Sequence, residues 1–215
     1  LASCGDKPNP GPIEPSDDKL GPASFVDSEG KEHKRVTSIE DGKSYYLAYY
    51  RATDDEIRVA NGEPHKDSGK EYPFYMGTSL CDSGEEAAIK IDFTDDKHFT
   101  MQFDAPGTAW DERYISIYEA YSGYNEVYSV YAGENIGDSN PDAKPEDSDE
   151  CHYYFEMLDQ YDGYNLGVPV ISWTDTRDSY GETEDTPKFL GSGQNADGYG
   201  FISVDCGGWI NKASL

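Results

Sequence analysis

Ile89, Ile91 and Phe93 alternate with Lys90 and Asp92, and after Thr94-Asp95-Asp96-Lys97 the residues Phe99, Met101 and Phe103 alternate with Thr100 and Gln102. A period of two on both sides of a polar turn predicts a hairpin with one apolar face and one wet face. A helix cannot use this pattern, because side chains two positions apart on a helix point to opposite sides. The same texture runs through most of the chain. Residues 35–39 read as a strand closed by a turn at Glu40-Asp41-Gly42, and residues 44–51 as the next strand. Residues 56–60 alternate and end at Asn61-Gly62, a strong hairpin signal. Residues 72–78 are then expected to pair back, with Pro73 confining them to an edge or a strand start. Further strands are expected at 113–120, 126–131, 151–158, 167–173 and 200–204. No segment long enough for a helix shows a 3.6 period. The expected fold class is all-β, with about a dozen short antiparallel strands and little helix.

Only 36% of the residues are hydrophobic, but 18 are Tyr. A Tyr ring buries apolar area while its hydroxyl stays wet, so a polar sequence of this kind still builds a core. The balance of 17 basic against 43 acidic residues gives a net charge of −26. That field repels phosphates and anionic head groups, which excludes nucleic acid and an anionic lipid surface as partner classes. No run approaches the roughly 18 apolar residues of a membrane-spanning helix, so membrane attachment is expected only through a covalent lipid.

Residues 1–22 differ from the rest. Pro8, Pro10, Pro12, Pro15 and Pro22, with Gly11 and Gly21 among them, make a stretch with no apolar face, expected to be an extended spacer. Residues 23–215 are expected to form a single all-β domain. The four cysteines, Cys4, Cys81, Cys151 and Cys206, include no C-x-x-C pair, which is not zinc-site spacing. Two readings stay open: a modified Cys4 with three remaining thiols, or two disulfides in an oxidising compartment.

Leu1-Ala2-Ser3-Cys4, followed by Gly5, resembles the end of a bacterial lipoprotein signal. The proline-rich stretch behind it is similar to the tails of surface lipoproteins of Bacteroidetes-type bacteria. The resemblance covers only about the first 20 residues. It implies lipidation of Cys4 and display outside the cytoplasm, at the cell surface or outer membrane; without the lipid the protein would be secreted.

Tyr121-Ser122-Gly123-Tyr124-Asn125 recurs as Tyr161-Asp162-Gly163-Tyr164-Asn165, and Tyr45-Tyr46-Leu47 is echoed by Arg113-Tyr114-Ile115 and Lys188-Phe189-Leu190. This threefold echo in a strand-rich chain resembles the β-trefoil, which implies sugar binding. Gly and Asn at these positions are also ordinary turn chemistry. A closed barrel of lipocalin type is the competing architecture, although Gly42-Lys43-Ser44 stands where that family's first strand carries Gly-x-Trp.

Sugar sites pair an aromatic platform with Asp or Asn acceptors. The expected ligand-binding residues are therefore Tyr121, Tyr124, Asn125, Tyr161, Asp162, Tyr164, Asn165 and Trp173. The histidines His33, His65, His98 and His152 stand in no nucleophile or metalloprotease motif, so no catalytic residue is assigned. The acidic stretches 137–150 and 175–185 carry carboxylates that calcium would take, but they lack the D-x-D-x-D-G spacing of a preformed loop. No cofactor other than calcium comes into question. The expected function is extracellular binding of a glycan or other small ligand from a lipid anchor. A secreted lipocalin-like carrier with two disulfides and a surface glycoside hydrolase are the alternatives.

Overall fold

The computed structural model describes residues 22, 24–51, 54–122, 125–131, 153–157, 167–171, 188–191 and 201–205. Among these residues there is no helix, and the secondary structure is β throughout. The strands are β1 (Ser24–Val26), β2 (Glu32–Lys34), β3 (Ser44–Tyr45), β4 (Ala48–Arg51), β5 (Glu56–Asp67), β6 (Lys70–Leu80) and β7 (Ala88–Phe93). They continue as β8 (His98–Asp104), β9 (Ser116–Ser122), β10 (Asn125–Tyr131), β11 (Tyr153–Met157), β12 (Gly167–Ile171), β13 (Lys188–Gly191) and β14 (Phe201–Asp205). Every pairing between them is antiparallel.

The β7–β8 hairpin follows the alternation. Ile89 faces Phe103, Ile91 faces Met101 and Phe93 faces Phe99. Ile89, Ile91, Phe99 and Met101 are fully buried and Phe103 is 1% exposed. Burial of each such side chain contributes roughly 1.5–3 kcal/mol. Leu47, Tyr49, Ala60, Met76, Trp110, Ile115 and Leu190 join the same core, with Val36, Ile39, Tyr45 and Phe93 packed against it. Thr100, expected on the wet face, is instead buried, with its hydroxyl donating to the Asp92 carbonyl at 3.4 Å. The loop between the two strands is organised by Asp95, whose Oδ1 accepts from the backbone N–H groups of Lys97 and His98, each at 2.7 Å.

Ten strands form one sheet in the order β3-β7-β8-β11-β12-β13-β14-β6-β5-β4. Among the described residues the pairing closes no barrel. The sheet ends at β3 and β4, which are consecutive in the chain and separated only by Tyr46 and Leu47. β10 of the β9–β10 hairpin lies against β6 and β14. β1 and β2 form a small sheet of their own.

Three expectations fail. Residues 44–51, expected as one strand, divide at Tyr46 and Leu47 into β3, which pairs with β7, and β4, which pairs with β5. Residues 35–39 are not a strand. The first pair is β1–β2, whose turn is built by Asp27, with Oδ1 accepting from the N–H groups of Glu29 and Lys31 at 2.9 Å. Asn61-Gly62 does not reverse the chain either. Gly62 has the positive φ its type favours (70°), but spends it on a bulge inside β5. The reversal comes at Ser68-Gly69, where φ values of 51° and 80° make a two-residue turn with left-handed backbone at both positions. Residues 72–78 do pair back onto β5 as part of β6, and Pro73 falls in a stretch without β5 partners, between the pairs His65–Tyr72 and Pro64–Met76.

Candidate functional site

The bulge shapes the surface beside it. Between the pairs Ala60–Thr78 and Pro64–Met76, β5 places Asn61, Gly62 and Glu63 opposite the single residue Gly77. Asn61 Oδ1 accepts from the Glu63 N–H at 3.1 Å and holds the bulge shut. A Cβ on Gly77 would stand 2.7 Å from the Glu63 carbonyl oxygen, so only glycine permits this approach. The loop after β8 docks on the other side. Gly62 O accepts from the Trp110 N–H at 2.9 Å, and Glu63 Oε1 accepts from the Ala109 N–H at 2.9 Å.

Alongside the bulge runs an open groove of about 980 Å³, lined by β5 and β6 with Arg51, Ser83, Glu85 and Thr108 at its margins. Its volume is at the upper end of ordinary ligand pockets, about 300–1,000 Å³. Most of its lining residues carry hydrogen-bonding side chains, although nearly half of the lining surface is apolar. Asn61 Nδ2 donates to Ser79 Oγ at 3.0 Å, and Ser79 Oγ donates to Glu85 Oε2 at 2.8 Å, so one chain of polar groups crosses the wall. Arg58 is held in a plane: Nε donates to Thr78 Oγ1 at 3.0 Å and Nη2 to the Thr78 carbonyl at 3.0 Å. The third arm, Nη1, reaches Glu56 Oε2 at 3.2 Å. Arg51 pairs with Asp54 at 2.8 Å.

Charge sets this groove apart. Arg51, Arg58 and Lys66 stand against Glu63, Asp67 and Glu85 along its lining, an even balance. The chain as a whole carries 17 basic residues against 43 acidic ones. The groove is therefore a local relief in a strongly negative field, suited to a neutral or anionic polar ligand rather than to a free cation. Among the described residues no group of three or more His, Cys, Asp or Glu is arranged to hold a metal ion. The acidic stretches 137–150 and 175–185 lie outside the described residues.

Of the sequence-derived site residues, Tyr121 lies in β9 and Asn125 begins β10. They stand at the end of that hairpin where β9 passes to β10, Tyr121 opposite Glu126 and Asn125 opposite Ser122. Tyr124, Tyr161, Asp162, Tyr164, Asn165, Trp173 and Cys4 lie outside the described residues. Trp110 is a core residue, 3% exposed, with its ring centroid 6.2 Å from that of Phe103. His65, which sits in a charged stretch of the sequence, is a β5 residue of the groove lining.

A second cluster of chemically capable groups is structural. His33 Nε2 donates to Asp27 Oδ2 at 2.7 Å, and the His33 ring packs between Phe25 and Tyr46 at centroid distances of 5.1 and 4.8 Å. The His33 hydrogen bond, with those of the Lys31 and Glu29 backbone, holds the Asp27 carboxyl below its usual range. Burial pushes the Tyr46 hydroxyl up, helped by the charges of Glu86, Asp27 and Glu29. This arrangement fixes β1–β2 onto the segment between β3 and β4. Cys81 is a free, half-buried thiol pushed up mainly by burial and then by Asp82.

The groove residues were hidden in the sequence. Asn61-Gly62-Glu63-Pro64 reads as turn chemistry, and the signal that would have corrected it is Pro64 and Pro73 flanking a better turn at Ser68-Gly69. Compared with known proteins, the chain matches no protein-family model, and no curated protein matches it.

Proposed function

We propose that this protein is an extracytoplasmic glycan-binding protein, carried on a proline-rich tether from a lipidated Cys4, with the β5–β6 groove as its binding site. The observation that carries the reading is the lining of the groove. Asn61, Ser79, Glu85, Arg58 and their neighbours line an open volume of about 980 Å³, several of their polar groups held in place by bonds among themselves. Such a surface matches a ligand covered in hydroxyls. We also infer that the ten-stranded sheet curls toward a barrel, because its end strands β3 and β4 are successive parts of one chain segment.

Lipidation at Cys4 is supported by the Leu-Ala-Ser-Cys sequence and by the proline-rich stretch behind it. A labelled sample of the full chain applied to a glycan array tests the binding, and Ser83→Trp, which fills the groove from an exposed margin, tests the site. Binding abolished by Ser83→Trp at unchanged melting temperature is the expected result; no glycan bound by the wild type refutes the reading. Intact mass of the native protein tests the anchor, with an acylated Cys4 expected.

A further inference from the structure

We propose that the groove selects a glycan bearing a carboxylate, of the uronic acid class, and that Arg58 is the residue that recognises it; this rests on the groove being the glycan site. A guanidinium has five N–H donors in a rigid plane. On Arg58 three are engaged: Nε and Nη2 by the two oxygens of Thr78, and Nη1 by Glu56. One N–H is left on each Nη nitrogen, and a carboxylate can take two guanidinium N–H groups with its two oxygens.

The setting favours that use. The Arg58 side chain is 19% exposed, so it is partly removed from water while still lining the groove. Charge-assisted hydrogen bonds strengthen under such partial desolvation. Thr78 is buried and belongs to the next strand, so the guanidinium plane is fixed before any ligand arrives. Little rotamer freedom remains to be lost on binding. The remaining donors number two, and Glu63, Asp67 and Glu85 share the groove. A singly charged planar group fits this balance; a phosphate dianion would meet more repulsion and find no further free donors on Arg58.

The test uses calorimetric titration of the full chain with a panel of uronate-containing oligosaccharides. Each is paired with its carboxyl-reduced, neutral counterpart, and a sulfated neutral series is added. The acidic member of a pair is expected to bind about 10- to 100-fold more tightly than its reduced form, the loss of one charge-assisted bidentate contact. Arg58→Lys keeps the charge but loses the fork, so it should bring the acidic ligand to within a few-fold of the neutral one. The ligand-side comparison needs no variant and holds even if Arg58→Lys folds poorly. Equal binding within pairs, an acid preference that survives Arg58→Lys, or sulfated ligands binding as tightly as uronates each overturns the role of Arg58 and leaves groove binding standing. No binding by any member overturns both.

Discussion

Gly77→Ala is the sharpest perturbation of the bulge that forms the groove. The new Cβ would meet the Glu63 carbonyl oxygen at 2.7 Å, the Asn61 Oδ1 at 2.9 Å and the Pro64 carbonyl oxygen at 3.2 Å. None of these atoms is the loose end of a flexible side chain. Glu63 is tied by its N–H to Asn61 Oδ1 and by its carboxylate to the Ala109 N–H, and Asn61 is tied to Ser79. Overpacking of this kind costs about 1–3 kcal/mol. Breaking the Asn61–Glu63 hydrogen bond adds about 1 kcal/mol. Against this, Gly→Ala stiffens the unfolded chain and returns about 0.4–1 kcal/mol. The net is a loss of about 2 kcal/mol, or about 4–8 °C in Tm for a chain of this size. Urea denaturation measures it. Asn61→Ala removes one of the opposing atoms, so the double variant should be less destabilised than the sum of the singles by at least about 0.5 kcal/mol. A Gly77→Ala variant within about 0.5 kcal/mol of wild type, or strict additivity with Asn61→Ala, would refute the close-approach account.

Two further outcomes follow from the β7–β8 hairpin. The Asp95 carboxyl is held well below its usual range, first by the His98 backbone N–H, then by the Lys97 N–H and the His98 side chain. Its folded pKa is therefore below its unfolded one, so the stability it contributes is fully present above about pH 4 and is lost as pH falls toward the folded value. An NMR titration should find Asp95 still ionised where exposed aspartates have protonated, and Asp95→Asn should flatten this part of the acid limb; an ordinary Asp95 titration would count against the loop geometry. Phe103→Ala removes a side chain that is 1% exposed and packed on Trp110, and should destabilise by about 3–5 kcal/mol in the same urea assay; a loss under about 1 kcal/mol would mean the core is not centred there.

The fold was most legible where one physical rule acted alone. Around Ile89–Phe103 the alternation of apolar and polar residues was enough, because a register slip by one residue would turn every apolar side chain to water. Segment 56–60 was legible for the same reason, whereas 44–51, read as one strand, divides at Tyr46 and Leu47 into β3 and β4 with different partners. Residues 35–39 were not legible, because Val36 and Ile39 pack on the core from an irregular segment, and apolar residues alone do not specify a strand. Nor was β1–β2, whose stability comes from Asp27 and the Phe25–His33–Tyr46 contacts rather than from any apolar alternation in Glu32–Lys34.

The groove was illegible for a different reason. Asn-Gly carries a local preference for left-handed backbone, and both a hairpin turn and a bulge satisfy that preference equally. What separates them is long-range: whether Gly77 comes close enough to accept the bulge, and whether the loop bearing Thr108, Ala109 and Trp110 docks on it. Arg58 is the same case. A search for aromatic platforms passed over it, since an Arg two residues from a Glu in a charged strand looks like surface. Only the register that sets β5 beside Thr78 turns it into a fixed donor plane. The chemistry of a site built this way resides in pairings between strands rather than in a motif. A sequence-level search for such sites should therefore look for glycine and proline interrupting paired strands, and then for the polar residues on either side of the interruption.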